Sequence, residues 1–241
     1  MRSVIIDSRM SDKCKRRLSA LGFNLLELPT CPTLPSAIAS HPDTLICRIG
    51  DNIITTADYC DRASYVFSDI RELYPHLNLV FVFETHTDVY PGDCILNALV
   101  TCGKLFVHLS SASERLIDIA EREGLAVIDS KQGYPACTTL TFSKNSQSYA
   151  ITCDRGMAKL LEKSGVRVTL IGCGDILLPP YAYGFIGGAS GVYKDKIYFA
   201  GDLDSHGDSP IIRDAIESAG FECVSLSDEP LCDVGGMIFI E

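Results

Sequence analysis

Apolar and polar positions along this chain follow a repeating pattern, and the repeat predicts the secondary structure. Five times, a segment with helical spacing of apolar residues ends at a small or turn-forming residue and is followed at once by an apolar run of strand type. Glycine and asparagine end helices well because they adopt positive φ angles at low cost. We therefore predict a helix stop followed by a strand at Gly22, Asn78, Gly124, Gly165 and Gly220.

A stretch typical of a β-hairpin precedes four of the predicted helices. In each stretch two apolar runs flank turn-forming residues, which predicts a pair of antiparallel strands. The hairpins are predicted at residues 45–56, 95–108, 138–153 and 189–200. The helix N-caps are expected at Ser113, Asp154 and Ser209, because short polar side chains satisfy the free amides of a first turn. Each complete unit therefore has the order strand, strand, helix, strand.

The two ends of the chain each supply half of a fifth unit. Residues 3–6 form a predicted strand that leads directly into a helix, and residues 236–240 form a predicted strand without a partner nearby in the sequence. Pairing these two strands would complete the unit and remove exposed sheet edges. We therefore predict one α/β domain over residues 1–241, a five-fold pseudosymmetric β/α-propeller closed by its terminal strands. The alternative is an open, doubly wound α/β sheet, which alternating strands and helices also suggest.

Several motifs, most of them from Gly133 onward, match those of proteins built in this way. The matching stretches are Gly133-Tyr134 with Cys137, residues 183–191, Gly201-Asp202-Leu203 with His206 and Asp208, and residues 227–231 with Asp233 and Gly235-Gly236. With these motifs the chain resembles the pentein fold of guanidino-modifying enzymes, and its second half resembles an uncharacterised bacterial family of that fold. The same fold also resembles that of a ribosome anti-association factor, which binds without chemistry.

The resemblance to the enzymes implies a specific chemistry and a place for it. Those enzymes use a cysteine thiolate as nucleophile, a histidine that moves protons and carboxylates that grip a guanidinium. Their cysteine lies shortly after a Gly-Gly pair in the last strand. Here Gly235-Gly236 is followed by Met237, and the internal pair Gly187-Gly188 is followed by Ala189. The expected nucleophile is therefore absent from the position that the resemblance gives it.

Aligned hairpin starts indicate which residues would meet at a central channel. Three of them are aspartates, so the mouth would be acidic and would suit a small polar or cationic ligand. The other interpretation is that these aspartates only cap turns and that the glycines only relieve crowding. The predicted ligand-binding residues are Asp43, Asp93, Asn97, Gly187, Gly188, Ser190 and Asp233.

The second functional hypothesis is a cysteine-dependent amidinohydrolase or deiminase that acts on a guanidine or amide. Cys137 would be its nucleophile, since it opens a predicted strand at the channel, and His206 would move protons. A buried, inert thiol is the other interpretation of Cys137. His41, His76 and His108 are interpreted as surface or packing residues without a partner. A third hypothesis, a protein partner bound on one face, rests on fold analogy alone.

Composition narrows the classes of partner and location. The formal net charge is -10, and no Lys/Arg stripe is present to neutralise phosphates, so nucleic acid is not expected as a partner. The N-terminus becomes polar too early for a signal peptide, and no run approaches the roughly 20 apolar residues of a membrane span. We therefore expect a soluble, cytoplasmic protein that does not bind membranes.

Cysteine usage and one acidic loop raise the question of metals. The 11 cysteines are scattered and form no CxxC pair, which favours reduced, structural thiols. Asp202, Asp204, His206 and Asp208 alternate, but calcium loops also need a bidentate glutamate and zinc prefers more nitrogen or sulfur ligands. The sequence therefore predicts neither a metal nor a cofactor.

Overall fold

The computed structural model describes residues 1–241 and contains five sheets of three strands each. In every sheet the middle strand pairs antiparallel with one neighbour and parallel with the other, as the predicted units require. The open, doubly wound sheet is therefore wrong. By sheet, the strands are β15 (Ile238–Ile240), β1 (Ser3–Asp7) and β2 (Asn24–Leu28); β3 (Cys47–Ile49), β4 (Asn52–Thr56) and β5 (Asn78–Val82); β6 (Ala98–Thr101), β7 (Lys104–Val107) and β8 (Ala126–Asp129); β9 (Thr139–Lys144), β10 (Gln147–Thr152) and β11 (Arg167–Leu170); β12 (Ser190–Tyr193), β13 (Lys196–Phe199) and β14 (Glu222–Ser225).

Helices connect the middle strand of each sheet to its parallel neighbour. Parallel strands require such a crossover, whereas antiparallel strands are joined by tight turns. None of the helices combines the length and the apolar composition that a membrane crossing requires. The connecting helices are α1 (Asp12–Ala20), α3 (Ala57–Arg62) with α4 (Ser64–Leu73), α5 (Glu114–Arg122), α7 (Arg155–Lys163) and α8 (Ser209–Ser218); the short α2 (Pro42–Leu45) and α6 (Pro135–Thr138) precede β3 and β9.

The first and last strands pair with each other, as predicted. Strands β1 and β15 run antiparallel, with Ser3 opposite Ile240 and Val4 opposite Phe239. Strand β1 also pairs in parallel with β2, so all of its residues are buried. The sheet that contains both ends of the chain thus has the same strand order as the other four.

Five apolar cores hold the sheets together, and each core contains residues from two sheets and a connecting helix. Four of the cores join sheets that are consecutive in the sequence, and the remaining core joins the last sheet to the first through Val4, Tyr198 and Phe239. Each sheet consequently buries both faces only through its two neighbours. Representative pairs across the other cores are Ile5 with Ile53, Ile54 with Leu105, Leu99 with Ala150, and Ile151 with Ile197.

Most predicted stops and turns are confirmed, and two helix boundaries are corrected. Gly22, Gly124, Gly165 and Gly220 all have positive φ. Asn78 does not end a helix: α4 ends at Leu73, because Pro75 cannot continue it, and Asn78 is already the first residue of β5. Ser209 is the first residue of α8 rather than its N-cap, which is Asp208.

Candidate functional site

The segments that precede the first strands of the units surround one cavity of about 480 Å³. The segment before α2, the start of the unit at α6, the loop before β6, the loop before β12 and the segment before β15 all contribute side chains. This volume lies within the range that small-molecule sites occupy. The lining residues are Pro35, Ile38, His41, Asp88, Tyr90, Asp93, Tyr134, Cys137, Leu178, Tyr181, Ala182, Tyr183, Phe185 and Asp233.

Hydrogen bonds between neighbouring hairpin starts form the floor of this cavity. Because these segments lie at the same end of equivalent units, their backbone groups can bond to one another instead of to water. The bonds make the floor continuous and fix the side chains above it. Four of them, each 2.9 Å long, run from Ala136 N to Asn97 Oδ1, from Gly188 N to Cys137 O, from Val234 N to Gly188 O and from Asp43 N to Gly235 O.

Cys137 lies on this floor with its thiol directed at a carboxylate. Its Sγ donates to Asp43 Oδ2 at 2.6 Å and accepts from Asn97 Nδ2 at 3.3 Å. Burial, followed by the nearby charges of Asp43 and Asp233, raises the pKa of the Cys137 thiol well above its usual value. Burial also raises the pKa of Asp43 to about 6. The thiol is therefore protonated at neutral pH and is a poor nucleophile.

Asp233 and His41 form a second buried pair beside Cys137. Asp233 Oδ1 accepts from Gly235 N at 3.0 Å and Oδ2 accepts from Phe185 N at 2.9 Å. His41 Nδ1 lies 3.7 Å from Asp233 Oδ1 and makes no hydrogen bond. Burial raises the pKa of Asp233 to about 6, against the opposing charge of His41. Burial also lowers the pKa of His41, against the opposing charges of Asp233 and Asp7.

Two glycines allow these side chains to lie so close to the backbone. A Cβ on Gly188 would lie 2.0 Å from Asp233 Oδ1, and a Cβ on Gly235 would lie 2.2 Å from His41 Cβ. Both distances are far below van der Waals contact, so any side chain at these positions would displace Asp233 or His41. The glycine-rich segments therefore make room for the acidic floor.

Asp93 is a buried carboxylate of the cavity whose hydrogen bonding is incomplete. It is only 3% exposed, its Oδ2 accepts from the Tyr134 hydroxyl at 2.5 Å, and its Oδ1 has no hydrogen-bond partner. Three aspartates line the cavity and no lysine or arginine does. Burying a carboxylate without a cation or a full set of hydrogen-bond donors costs free energy. At Asp93 the protein supplies neither a lysine or arginine nor a donor to Oδ1.

The structure brings together most of the predicted site residues. Asp93, Cys137 and Asp233 line the cavity, and Asp43 and Asn97 contact Cys137. The glycine-rich residues lie on the other side of the floor: Gly188 lies under Asp233, while Gly187, Ser190 and Asp43 line a neighbouring cavity of about 270 Å³. Ser190 Oγ donates to Ile186 O at 2.7 Å.

His206 is not brought to Cys137. It lies in the loop before α8, where its Nδ1 accepts from Asp208 N at 3.0 Å, and it does not line the cavity. In the surrounding acidic loop, Asp202 Oδ1 caps a short helical turn by accepting from Asp204 N at 3.1 Å, and Asp208 Oδ2 accepts from Gly172 N of another loop at 2.6 Å. No group of three or more His, Cys, Asp or Glu side chains is arranged to hold a metal ion.

Sequence reasoning missed His41 and the aromatic walls. His41, interpreted as a surface or packing residue, is buried at the cavity, with its Nε2 3.8 Å from Asp7 Oδ2 and its Nδ1 3.7 Å from Asp233 Oδ1. His41 directly precedes Pro42-Asp43 at a hairpin start, and this position could have indicated that it lies near the site. The aromatic walls consist of Tyr90, Tyr134, Tyr181, Tyr183 and Phe185.

Comparison with solved structures identifies the fold. The chain is similar to a dimethylarginine dimethylaminohydrolase adduct with 4-chloro-2-hydroxymethylpyridine, with a TM-score of 0.57 at 11% identity over 95% of this chain and 93% of the other. It is similar to SxtG, an amidinotransferase from Microseira wollei in the saxitoxin biosynthetic pathway, with a TM-score of 0.55 at 9% identity over 90% of this chain and 73% of the other. The N-terminal domain of ArgZ gives a TM-score of 0.52 at 11% identity over 95% of this chain and 91% of the other.

These neighbours are pentein-fold enzymes, and at such low identity they show that the chain shares the fold and nothing more. No curated protein matches the sequence. One family model, that of the family of unknown function DUF6873, matches residues 5–238.

Proposed function

Because the chain belongs to DUF6873, a family of unknown function, we propose a function from the cavity itself: it binds a small organic cation there, without thiol chemistry. The observation that carries the proposal is the buried carboxylate of Asp93, whose Oδ1 has no hydrogen-bond partner, in a cavity lined by three aspartates and by no lysine or arginine. A ligand ammonium or guanidinium would donate to this carboxylate and supply the missing positive charge. The ligand's charge then replaces the cation that the protein does not supply.

We also infer that the five units form one closed ring and one domain over residues 1–241. The support is that the last sheet packs against the first through the same kind of core as every other neighbouring pair. A ring of this type explains why five hairpin starts converge on one floor, since rotation about a common axis brings equivalent residues together. The cavity is then the mouth of the central channel.

Three features of the site oppose the second hypothesis, a Cys137-dependent hydrolase. A thiolate is required for attack on a guanidine or amide carbon, but burial and then the charge of Asp43 oppose ionisation of this thiol. The predicted proton-transfer partner, His206, lies in the loop before α8, where its Nδ1 accepts from Asp208 N. The residue after Gly235-Gly236 is Met237, so no cysteine directly follows the glycine pair where the resemblance places the nucleophile. We therefore favour a binding function.

Iodoacetamide labelling of the native protein tests the absence of an activated thiol. We expect exposed Cys173 to be modified rapidly at pH 7 and buried Cys137 to stay unmodified until the protein unfolds. Mass spectrometry of tryptic peptides identifies the labelled residue, and Cys173→Ser should remove the rapid label. Rapid labelling of Cys137 that a guanidine compound blocks would contradict the proposal and support the hydrolase.

Calorimetric titration with methylguanidine, agmatine and 2-phenylethylamine tests cation binding directly. We expect at least one of them to bind, and Asp93→Asn to weaken that binding by about 10- to 100-fold, since a hydrogen bond to a charged group contributes about 1.5–3 kcal/mol. Asp69→Asn, at an exposed helical position, is the matched control and should bind like the parent. Absence of binding by all three cations, or equal binding by Asp93→Asn, would contradict the proposal.

A further inference from the structure

The mouth of the cavity is formed by aromatic rings that solvent still reaches. Tyr90 and Tyr181 are each 52% exposed, and Tyr183 is 38% exposed, although all three line the cavity. Tyr90 comes from the loop before β6, and the other two come from the loop before β12. The rings therefore stand on two separate loops above the acidic floor. Exposed aromatic rings around a concave site are typical of ligand contact, since apolar groups lose surface to water only when a ligand covers them.

The same cavity has no lysine or arginine that would pair with a ligand carboxylate. Arg9 lines the adjacent cavity of about 200 Å³ rather than this one. Its Nε and Nη2 bind the two oxygens of Asp7 at 3.0 and 2.6 Å, and Nη2 also donates to Ala37 O at 2.9 Å. A ligand carboxylate would therefore face Asp88, Asp93 and Asp233 without a lysine or arginine to pair with it, which costs free energy in a partly desolvated site.

We propose that the cavity selects organic cations that carry an aromatic or bulky apolar body and no carboxylate. This inference rests on the proposed cation binding and adds the substrate class. The charged end lies at the Asp93 carboxylate, which lacks one donor, and the apolar body lies between Tyr90 and the pair Tyr181 and Tyr183. Amino acids are excluded by their carboxylate, and small alkylammonium ions leave most of the about 480 Å³ unfilled.

Three ligands that differ by one group each test the selectivity by calorimetry. We expect 2-phenylethylamine to bind at least 10-fold more tightly than L-phenylalanine, which adds only a carboxylate, and at least 10-fold more tightly than ethylamine, which lacks only the ring. Equal binding of L-phenylalanine or of ethylamine would overturn this inference while leaving cation binding intact. If methylguanidine, agmatine and 2-phenylethylamine all fail to bind, the proposed function itself fails.

Variants at the mouth provide a second and independent measurement. We expect Tyr181→Ala and Tyr183→Ala each to weaken 2-phenylethylamine binding at least 5-fold and to leave the affinity for ethylamine unchanged. Tyr183→Phe keeps the ring and should restore the parent affinity. Tyr65→Ala removes a ring of similar exposure, 56%, from helix α4 and should have no effect. Unchanged affinity in both mouth variants, or an equal loss for ethylamine, would overturn the inference.

Discussion

Replacing Phe239 with alanine is expected to lower the free energy of unfolding by about 3–5 kcal/mol, the usual cost of truncating a buried phenylalanine. Phe239 lies in β15 and is 7% exposed. Its ring centroid lies 5.0 Å from that of Phe23, which belongs to the first unit, and 5.2 Å from that of Tyr198 in the last sheet. Loss of this ring would leave a cavity in the core that joins the two ends of the chain.

Phe83→Ala is the matched control for this experiment, because Phe83 is 80% exposed. The same chemical change there should alter stability by about 0.5 kcal/mol or less. Urea unfolding followed by circular dichroism measures both variants. If Phe239→Ala cost no more than Phe83→Ala, the core between the last and first sheets would contribute nothing, which would contradict the closed ring.

Asp43→Asn is expected to stabilise the protein at pH 8 and to have little effect at pH 4. Burial raises the pKa of Asp43 from 3.8 to about 6, so its ionised form is less favourable in the folded state than in the unfolded one. This penalty is absent below pH 3.8, grows between pH 3.8 and 6, and is complete above pH 6. Two pKa units correspond to roughly 3 kcal/mol, and partial exposure of the residue reduces the expected gain to about 1–3 kcal/mol.

The asparagine oxygen can still accept from the Cys137 thiol, so the substitution removes the charge and keeps the contact. Urea unfolding at pH 4, 6 and 8 measures the difference between variant and parent. Other titrating groups, including Asp233 and His41, are present in both proteins and largely cancel. Asp69→Asn, which removes an exposed carboxylate, should show no such pH trend. A variant that is less stable than the parent at pH 8 would show that Asp43 is not a destabilising charge.

Much of the architecture could be predicted from the sequence because local signals agree with the fold. Gly124, Gly165 and Gly220 mark helix ends through the positive φ that each adopts. The unpaired strands at the two ends could be recognised because every other unit contains a hairpin. The error at Asn78 arose because Pro75 had already ended the helix, and the short connection that follows has no distinctive pattern.

The candidate site could be predicted only in part, and the reason is geometric. Asp43 and Cys137 are 94 positions apart in the sequence, yet aligning hairpin starts placed them together, because repeated units put equivalent positions at one place. The tyrosines of the mouth lie in irregular loops, whose course does not follow from periodicity. His206 follows its hairpin instead of preceding it, so it lies at the other side of its unit. Residues that lie outside the repeated positions could therefore be assigned to the site, or excluded from it, only from the structure.

The pairing of β1 with β15 also has a consequence for how the molecule is made. Ser3 leaves the ribosome more than two hundred residues before its partner, Ile240, and Val4, Ile5 and Ile6 are each 0% exposed in the folded protein, where β1 has a strand on both sides. Until the β15 segment has been synthesised, one edge of β1 is unpaired and apolar, which favours aggregation or chaperone binding. Asp233 is synthesised shortly before β15, so the acidic floor is complete only after this segment has also emerged.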